Sequence, residues 1–439
     1  MKYYLAIDIG ASSGICILGH QNKKANKIVT EEVYRFENIL KKRKQTVYWD
    51  INAFMGHILT GMKKCVQLGK IPESVGITTW GVDFVLLDKD GKIIGDPVSY
   101  RDERTTGMDK KVHKIIPEAE YYSRTGINKY TYNTIYQLMA IKTKTPELFD
   151  KAQSLLFIPD YLHYRLCGVQ TNEFTVATTS GLINTEKKDW DYEIISKCGF
   201  PEKLFLPLHK PGTIMGFLTE KIQSIVGYNC KVILPPAHDT ASAFFSVSDE
   251  NHIVISSGTW SIVGVTIQNP ILTENAYKLG FTNESAADGR IRFLKNVMGL
   301  WMIQSVRKEL GGSYYYTELS SMAEESNYEG LVDVNDNCFF APQDMIKTIK
   351  EKCIDGGYPA PKTTGDIILC INRSLAKAYA RTVEELIELT GQKFEAITII
   401  GGGSKNTLLN KLTQEECGLP VHIGYAESTA FGNLMFQMG

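Results

Sequence analysis

Two short stretches, one in each half of the chain, share a pattern that restricts the fold more than any other feature of the sequence. Tyr3 to Ile9 is an apolar β run, and Gly10-Ala11-Ser12-Ser13-Gly14 turns it into a second run, Ile15-Cys16-Ile17-Leu18. Far downstream, Ile253-Val254-Ile255 passes through Ser256-Ser257-Gly258-Thr259 into Trp260-Ser261-Ile262-Val263-Gly264-Val265. Short β-branched runs bounded by Gly and Ser read as hairpins. Small residues at a hairpin tip let backbone N–H groups come close to phosphate oxygens. Two such hairpins, each opening one half of the chain, predict a duplicated α/β domain with a cleft between the copies. The 439 residues suit that organisation, since length alone gives about two to three domains.

Chemistry is placed in that cleft by Leu234-Pro235-Pro236-Ala237-His238-Asp239-Thr240-Ala241-Ser242-Ala243. The apolar strand Lys231-Val232-Ile233-Leu234 is stopped by two prolines. A histidine, a carboxylate and a hydroxyl follow, and small residues then open a helix. Asp239 falls between strand end and helix start, where open α/β sheets place their ligands. The same position suits a helix N-cap, and locally both roles stay open.

Other segments add candidates. Asp8, at the base of the first hairpin, can hold Mg²⁺ through water. Val29 to Phe36 reads as a strand, and Asp50 opens a helix with Phe54, Ile58, Met62 and Val66 on one face, closed by Gly69 and Pro72. Val75 to Thr79 is a buried strand leading to Trp80-Gly81-Val82-Asp83-Phe84, where a ring beside a carboxylate suits a polyol and equally a core Trp beside a surface Asp. Lys89-Asp90-Gly91-Lys92 is a turn. Helices are expected over Asn133 to Thr143 and Asp160 to Cys167, with a polar loop from Asn172-Glu173-Phe174-Thr175. Asn296 is expected at the cap of a helix ending at Gly311-Gly312. A long amphipathic helix with Ile368, Ile371, Leu375 and Ala378 on one face leads to the strand Ala396 to Ile400. Gly401-Gly402-Gly403 then removes every Cβ where backbone must meet something flat or charged.

Bulk properties exclude several classes of function. A formal charge of −1 offers no field for nucleic acid or an anionic membrane surface. No apolar stretch approaches the ~20 residues of a membrane helix. Asp8 interrupts the apolar start Met1 to Ile7, so a signal peptide is not expected. Nine cysteines without a C-x-x-C pair fit reduced thiols in a cytoplasmic protein. A small-molecule ligand is the natural partner, and monomer and dimer are both open.

Taken together, Asp8-x-Gly10-Ala-Ser-Ser-Gly14, Trp80-Gly81-Val82-Asp83-Phe84, Tyr100-Arg101-Asp102, His238-Asp239-Thr240-Ala241-Ser242-Ala243, Ser257-Gly258-Thr259-Trp260-Ser261, Asn296-x-Met298-Gly299-Leu300-Trp301 and Gly401-Gly402-Gly403-x-x-Asn406 resemble the FGGY carbohydrate kinases. The resemblance implies two actin/hexokinase-like (ribonuclease H-like) domains around an ATP and sugar cleft, residues 1–245 with the sugar site and residues 246–439 with nucleotide contacts. It implies phosphorylation of L-rhamnulose at O1, with Asp239 as general base and His238, Thr240, Gly81 and Asn296 holding the sugar. Ala11, Ser12, Ser13, Gly14 and Ile15 with Thr259, Gln304 and Gly402 would contact ATP, and Asp8 would help hold Mg²⁺. Fuculose or xylulose as substrate, or a non-catalytic sugar sensor, are the alternatives. Ile15 stands where the resemblance leads one to expect a basic residue, which removes a cation from the phosphate loop. The chain stops at Gly439 inside a predicted helix from Thr429, so the second domain is expected to lack its last part. Cys353 and Cys370 fall where relatives can carry a disulfide, and free thiols are expected here.

Gly10-Ala11-Ser12-Ser13-Gly14 also matches the G-x-S-x-G nucleophile elbow, which requires a helix directly after the serine. Ile15-Cys16-Ile17-Leu18 reads as a strand instead. A serine-directed fluorophosphonate probe should therefore leave Ser12 unmodified in intact-mass and peptide analysis, and a Ser12 adduct would reinstate a serine hydrolase.

Overall fold

The structure, a computed structural model, describes residues 1–22, 24, 27–340 and 342–439. Two six-stranded sheets organise it. The first runs Ile214–Phe217, Lys231–Ile233, Pro72–Thr79, Tyr3–Ile9, Ser13–Asn22, Lys27–Glu37, and the second Thr282–Ser285, Ile291–Met298, Trp260–Ile267, His252–Ser257, Ala396–Ile400, Val421–Ile423. In each, a hairpin pairs antiparallel, a third strand extends it antiparallel and two parallel strands follow on the other side, while the antiparallel sixth strand takes opposite edges in the two sheets. The duplication expected from the hairpins is thus present as topology. Each sheet has its own apolar core, built on Leu5, Ile7, Val75 and Ile77 in one lobe and on Ile253, Ile255, Ile397 and Ile399 in the other.

Local sequence explains the covering helices. Asp50 caps Ile51–Gln67 by accepting from the Ala53 N–H at 3.1 Å. The long helix Thr364–Thr390 starts with a Thr363/Asp366 capping box and ends at Gly391 with φ of 66°. Its Ile368, Ile371 and Leu375 are fully buried, each contributing about 1.5–3 kcal/mol. Between the first sheet's strands the chain inserts a third core, from Phe84 and Leu86 through Tyr136, Leu155 and Phe205. This inserted unit also meets the second lobe, where Asn283 N–H donates to Gly126 O at 2.8 Å and Tyr122 Oη–H to Phe281 O at 3.1 Å.

Four local expectations are corrected. Asn296 lies in the strand Ile291–Met298, and the helix that follows begins only at Trp301, because the alternating run through Val297 pairs with Trp260–Ile267. The N-cap before Asp239 is His238, and Asp239 is the first residue of the helix Asp239–Phe245. Asn172 to Thr175 is no loop: Asn172–Glu173 is a short strand, and the buried Glu173 carboxylate caps the helix Phe174–Thr178. Asp83 is neither a surface residue nor free for a ligand, since it is buried and accepts from Trp49 Nε1, Trp80 Nε1, Gln137 Nε2 and the Tyr100 N–H.

The helix Ser428–Met438, though last in the chain, packs on the first sheet. Gln437 Nε2 donates to Leu5 O at 3.0 Å and Asn433 Nδ2 to Gly76 O at 3.1 Å, while Leu434 packs with Ala6 and Ile15. Gly432 is where this helix touches Asp239–Phe245: a Cβ there would sit 1.8 Å from the Ser242 carbonyl oxygen. Helix propensity favours Ala over Gly by about 1 kcal/mol, whereas overpacking costs about 1–3 kcal/mol. Gly432→Ala should therefore lower the urea midpoint, and an unchanged or raised midpoint would show that the two helices separate freely.

Candidate active site

The parallel strand Pro72–Thr79 delivers the site. Its end pairs with the His238 segment, the Thr79 N–H donating to Ala237 O at 3.0 Å. Asp239 thereby emerges at the carboxyl ends of the strands, its side chain 29 % exposed. Its Oδ1 receives the Thr240 N–H at 2.5 Å and the Thr240 hydroxyl at 3.0 Å, with His238 Nε2 at 3.3 Å. Among the described residues nothing donates to Oδ2. One carboxylate oxygen is anchored, and the other is available as an acceptor.

Asp8 shares this space. Burial and the Asp239 charge push its carboxyl up to about 8, against the Thr78 hydroxyl that donates to Oδ1 at 2.9 Å. A buried carboxyl that feels a second carboxylate's charge is a place for a cation. No group of three or more metal-binding side chains exists among the described residues. One or two carboxylates completed by water and phosphate is the usual Mg²⁺ pattern, so the donor set fits that ion.

The sugar-side candidates converge on the same region. Gly81 packs on Thr179, where an added Cβ would lie 2.8 Å from the side chain. Val82 after it has φ of 64°, an outlier for a β-branched residue. Thr179 Oγ1 holds its N–H at 3.0 Å, and Thr134 Oγ1 donates to its carbonyl at 2.7 Å. Asn296 donates from Nδ2 to Tyr132 Oη at 3.3 Å, and Tyr132 stacks on Tyr130 and meets Tyr100 edge-on. Tyr130 and Tyr132 escape the sequence reading, although two tyrosines flanking Thr131 are a visible aromatic cluster.

At the tip of the first hairpin the carbonyls turn inward: Gly10 O accepts from Asn38 Nδ2, Ser12 O from the Asn38 N–H and Ser13 O from the Gly10 N–H. The N–H groups of Ala11 and Ser12 have no acceptor among the described residues, and Ser12 and Ser13 are exposed. That tip has the chemistry of a phosphate cradle. Ser12 is followed by the strand Ser13–Asn22, which removes the nucleophile elbow. Gly14 packs under Phe36, so it shapes the hairpin. The Ile15 side chain is buried against Ala430 and Leu434, so only its backbone can reach a ligand. Its cross-strand neighbour is Arg35, ion-paired to Glu32 at 2.9 Å and Glu427 at 2.7 Å.

In the second lobe Thr259 Oγ1 donates to Gln304 Oε1 at 3.3 Å, and the Trp301 N–H donates to Thr259 O at 3.1 Å. The helix carrying Gln304 is thus fastened to the second hairpin tip. The three glycines divide their work: a Cβ on Gly401 or Gly403 would meet Ser257 at 2.8 or 2.1 Å, whereas at Gly402 nothing lies within 4 Å. Packing demands two of them, and Gly402 alone faces open space. An open cavity of about 490 Å³ lined by Asn52, Lys92, Tyr161 and Arg165 shares no residue with these groups.

Sequence reasoning also misses Glu284, Arg292 and Glu173. Glu284 and Arg292 face each other across antiparallel strands at 2.9 Å, and Arg292 Nη2 reaches His238 Nδ1 at 3.1 Å. Burial opposes ionisation of Glu284, yet the Arg292 guanidinium beside it holds that carboxyl well below the usual carboxylate range. Glu173 accepts the Ala237 N–H at 3.2 Å, one residue before His238, and burial pushes it up to about 7. An arginine between Ile291 and Phe293 reads as a solvent-facing strand position, so nothing local marks it.

A carboxyl whose folded value lies above its unfolded one binds more protons when folded, so stability falls as pH climbs between the two values. For Asp8 that window runs from 3.8 to about 8 in metal-free protein, while Glu173 stops contributing near 7. Asp8→Asn should therefore be less destabilised than the parent between pH 7 and 8 in EDTA, read as melting temperature. Equal declines would remove Asp8 as the titrating group.

Family models match both halves: the N-terminal domain of the FGGY family of carbohydrate kinases over residues 3–246 and its C-terminal domain over residues 253–438. The chain is 43% identical over 435 residues to a rhamnulokinase of Oceanobacillus iheyensis, covering 99% of this chain and 92% of that one. It is 38% identical over 437 residues to one of Bacteroides thetaiotaomicron, covering 99% and 90%. The fold is similar to that of a ligand-bound xylulose kinase from Lactobacillus acidophilus, with TM-score 0.82 at 16% identity over 100% of this chain and 89% of that one. Plasmodium falciparum glycerol kinase with ADP gives TM-score 0.80 at 14% identity over 99% and 89%. With both family domains matched in order and relatives similar along nearly the whole length, the chain belongs to the FGGY family of carbohydrate kinases.

Proposed function

We propose that this chain is a cytoplasmic kinase that phosphorylates L-rhamnulose at O1 in rhamnose catabolism, using ATP and Mg²⁺. The sugar assignment rests on the relatives named rhamnulokinase, 43% and 38% identical over nearly the whole chain. The observation that carries the chemistry is the Asp239 carboxylate, with Oδ1 anchored by Thr240 and Oδ2 left without a donor among the described residues. Nine free cysteines and the absence of any described helix long and apolar enough to cross a membrane support the location.

Bound ATP with Mg²⁺ supplies the phosphoryl group and neutralises much of its charge. The protein's part is placement and charge stabilisation. Asp239 Oδ2 accepts the proton of the C1 hydroxyl, a contribution of about 10²–10⁴-fold. His238, Thr240, Gly81 and Asn296 hold the sugar, with Tyr100 and Tyr132 as an apolar wall for its C–H faces. The backbone at Ala11, Ser12, Ser13, Gly14 and Ile15, with Thr259, Gln304 and Gly402, holds the nucleotide, and Asp8 holds the metal. Residues 1–245 form the sugar-bearing domain and 246–439 the nucleotide-bearing one, the helix Ser428–Met438 crossing back to the first.

Asp239→Asn should lose turnover by about 10²–10⁴-fold while still binding the sugar in titration calorimetry. Undiminished turnover would reject Asp239 as base. In a coupled ADP-release assay on a ketose panel L-rhamnulose should be the preferred acceptor; preference for L-fuculose or D-xylulose would reject the sugar, and no turnover of any ketose would favour a sugar sensor.

A further inference from the structure

Arg292 is fully buried, donates from Nε to Ser285 O at 2.9 Å and from Nη2 to Glu284 Oε2 at 2.9 Å, and points Nη2 at His238 Nδ1 at 3.1 Å. Its Nη1 has no partner among the described residues. Burying a cation with an idle donor is costly, and a β strand can fill such a position with an apolar residue. The geometry says what the arginine does there. A guanidinium only donates, so His238 Nδ1 must present its lone pair. The ring proton then sits on Nε2, 3.3 Å from Asp239 Oδ1. The opposite tautomer would donate from Nδ1 to Glu284 Oε2 at 3.3 Å, but it sets an N–H against the nearer Arg292 N–H.

We infer that Arg292 is a positioning residue: from the second lobe it selects the Nε2–H tautomer of His238, which with Thr240 pins Asp239 Oδ1 and leaves Oδ2 for the substrate hydroxyl. Asp239 and His238 stand at the end of the first sheet, whereas Arg292 and Glu284 belong to the second. The histidine's share of that anchoring, added to the two Thr240 bonds, is therefore complete only when the two lobes are in register. Glu284 keeps Arg292 aimed through the cross-strand pair, and the Thr175 hydroxyl steadies the His238 backbone by accepting its N–H at 3.3 Å. Asp239 acting as base is the one premise this takes from the proposed function.

Long-range ¹⁵N–¹H correlation spectra of the full-length wild-type protein, with His238 assigned by difference from His238→Gln, read the tautomer directly. The expected result is an unprotonated Nδ1 and a protonated Nε2; a proton on Nδ1 overturns the inference. In Arg292→Met the tautomer should shift or become mixed, and kcat should fall about 10–100-fold, the range seen when partners that orient a functional histidine are removed, with the KM for ATP unchanged. Arg292→Lys, which keeps a donor, should retain the wild-type tautomer and recover part of kcat. Wild-type tautomer and kcat in Arg292→Met would overturn the inference. Should that variant fail to fold, the wild-type spectrum still decides. Retained turnover in Asp239→Asn would remove the base but leave the tautomer result standing, so the two failures can be told apart.

Discussion

The helix Asp239–Phe245 is gripped from both sides, and the site depends on that grip. Its start is set by the bond from the Thr79 N–H to Ala237 O at the end of a parallel strand. Its back lies against the helix Ser428–Met438, close enough that Gly432 meets the Ser242 carbonyl without a side chain between them, and Thr429 Oγ1 donates to the Asp239 carbonyl at 3.3 Å. A carboxylate on the first turn of a short helix has little stiffness of its own. Here the strand end, the partner helix and Glu173 supply it.

That rigidity matters because phosphoryl transfer asks for placement more than for reactive groups. The charged groups around the site are individually constrained. Asp8 and Asp239 share one space, Asp83 is spent on holding two tryptophans, and Arg292 is spent on His238. The strained Val82 turn belongs to the same economy of placement: hydrogen bonds to both its N–H and its carbonyl hold a conformation that costs about 1–3 kcal/mol elsewhere.

Much of this was legible from residues alone. The paired hairpins announce the duplication because the same strand–turn–strand pattern opens each half of the chain, and His238-Asp239 stands out because prolines fix where its strand ends. What stayed hidden depended on partners distant in sequence. Glu173 looked like part of a polar loop, since nothing local shows that its carboxylate will be buried under Ala237. Asn296 reads as a helix cap because Met298 to Gln304 dominates its surroundings, whereas pairing with Trp260–Ile267 decides its state. Ile15 looked like a gap in a phosphate loop; its side chain points to the back of the sheet, where Leu434 arrives from the far end of the chain.

The late docking of Ser428–Met438 also bears on how the protein is made. One face of the first sheet, around Ala6, Ile15 and Ile17, stays uncovered until those eleven residues leave the ribosome. The first sheet is synthesised early, yet its cover is a segment from the far end of the second half. Until that segment docks, this bare β surface is where nascent chains of this architecture are most prone to stick to one another.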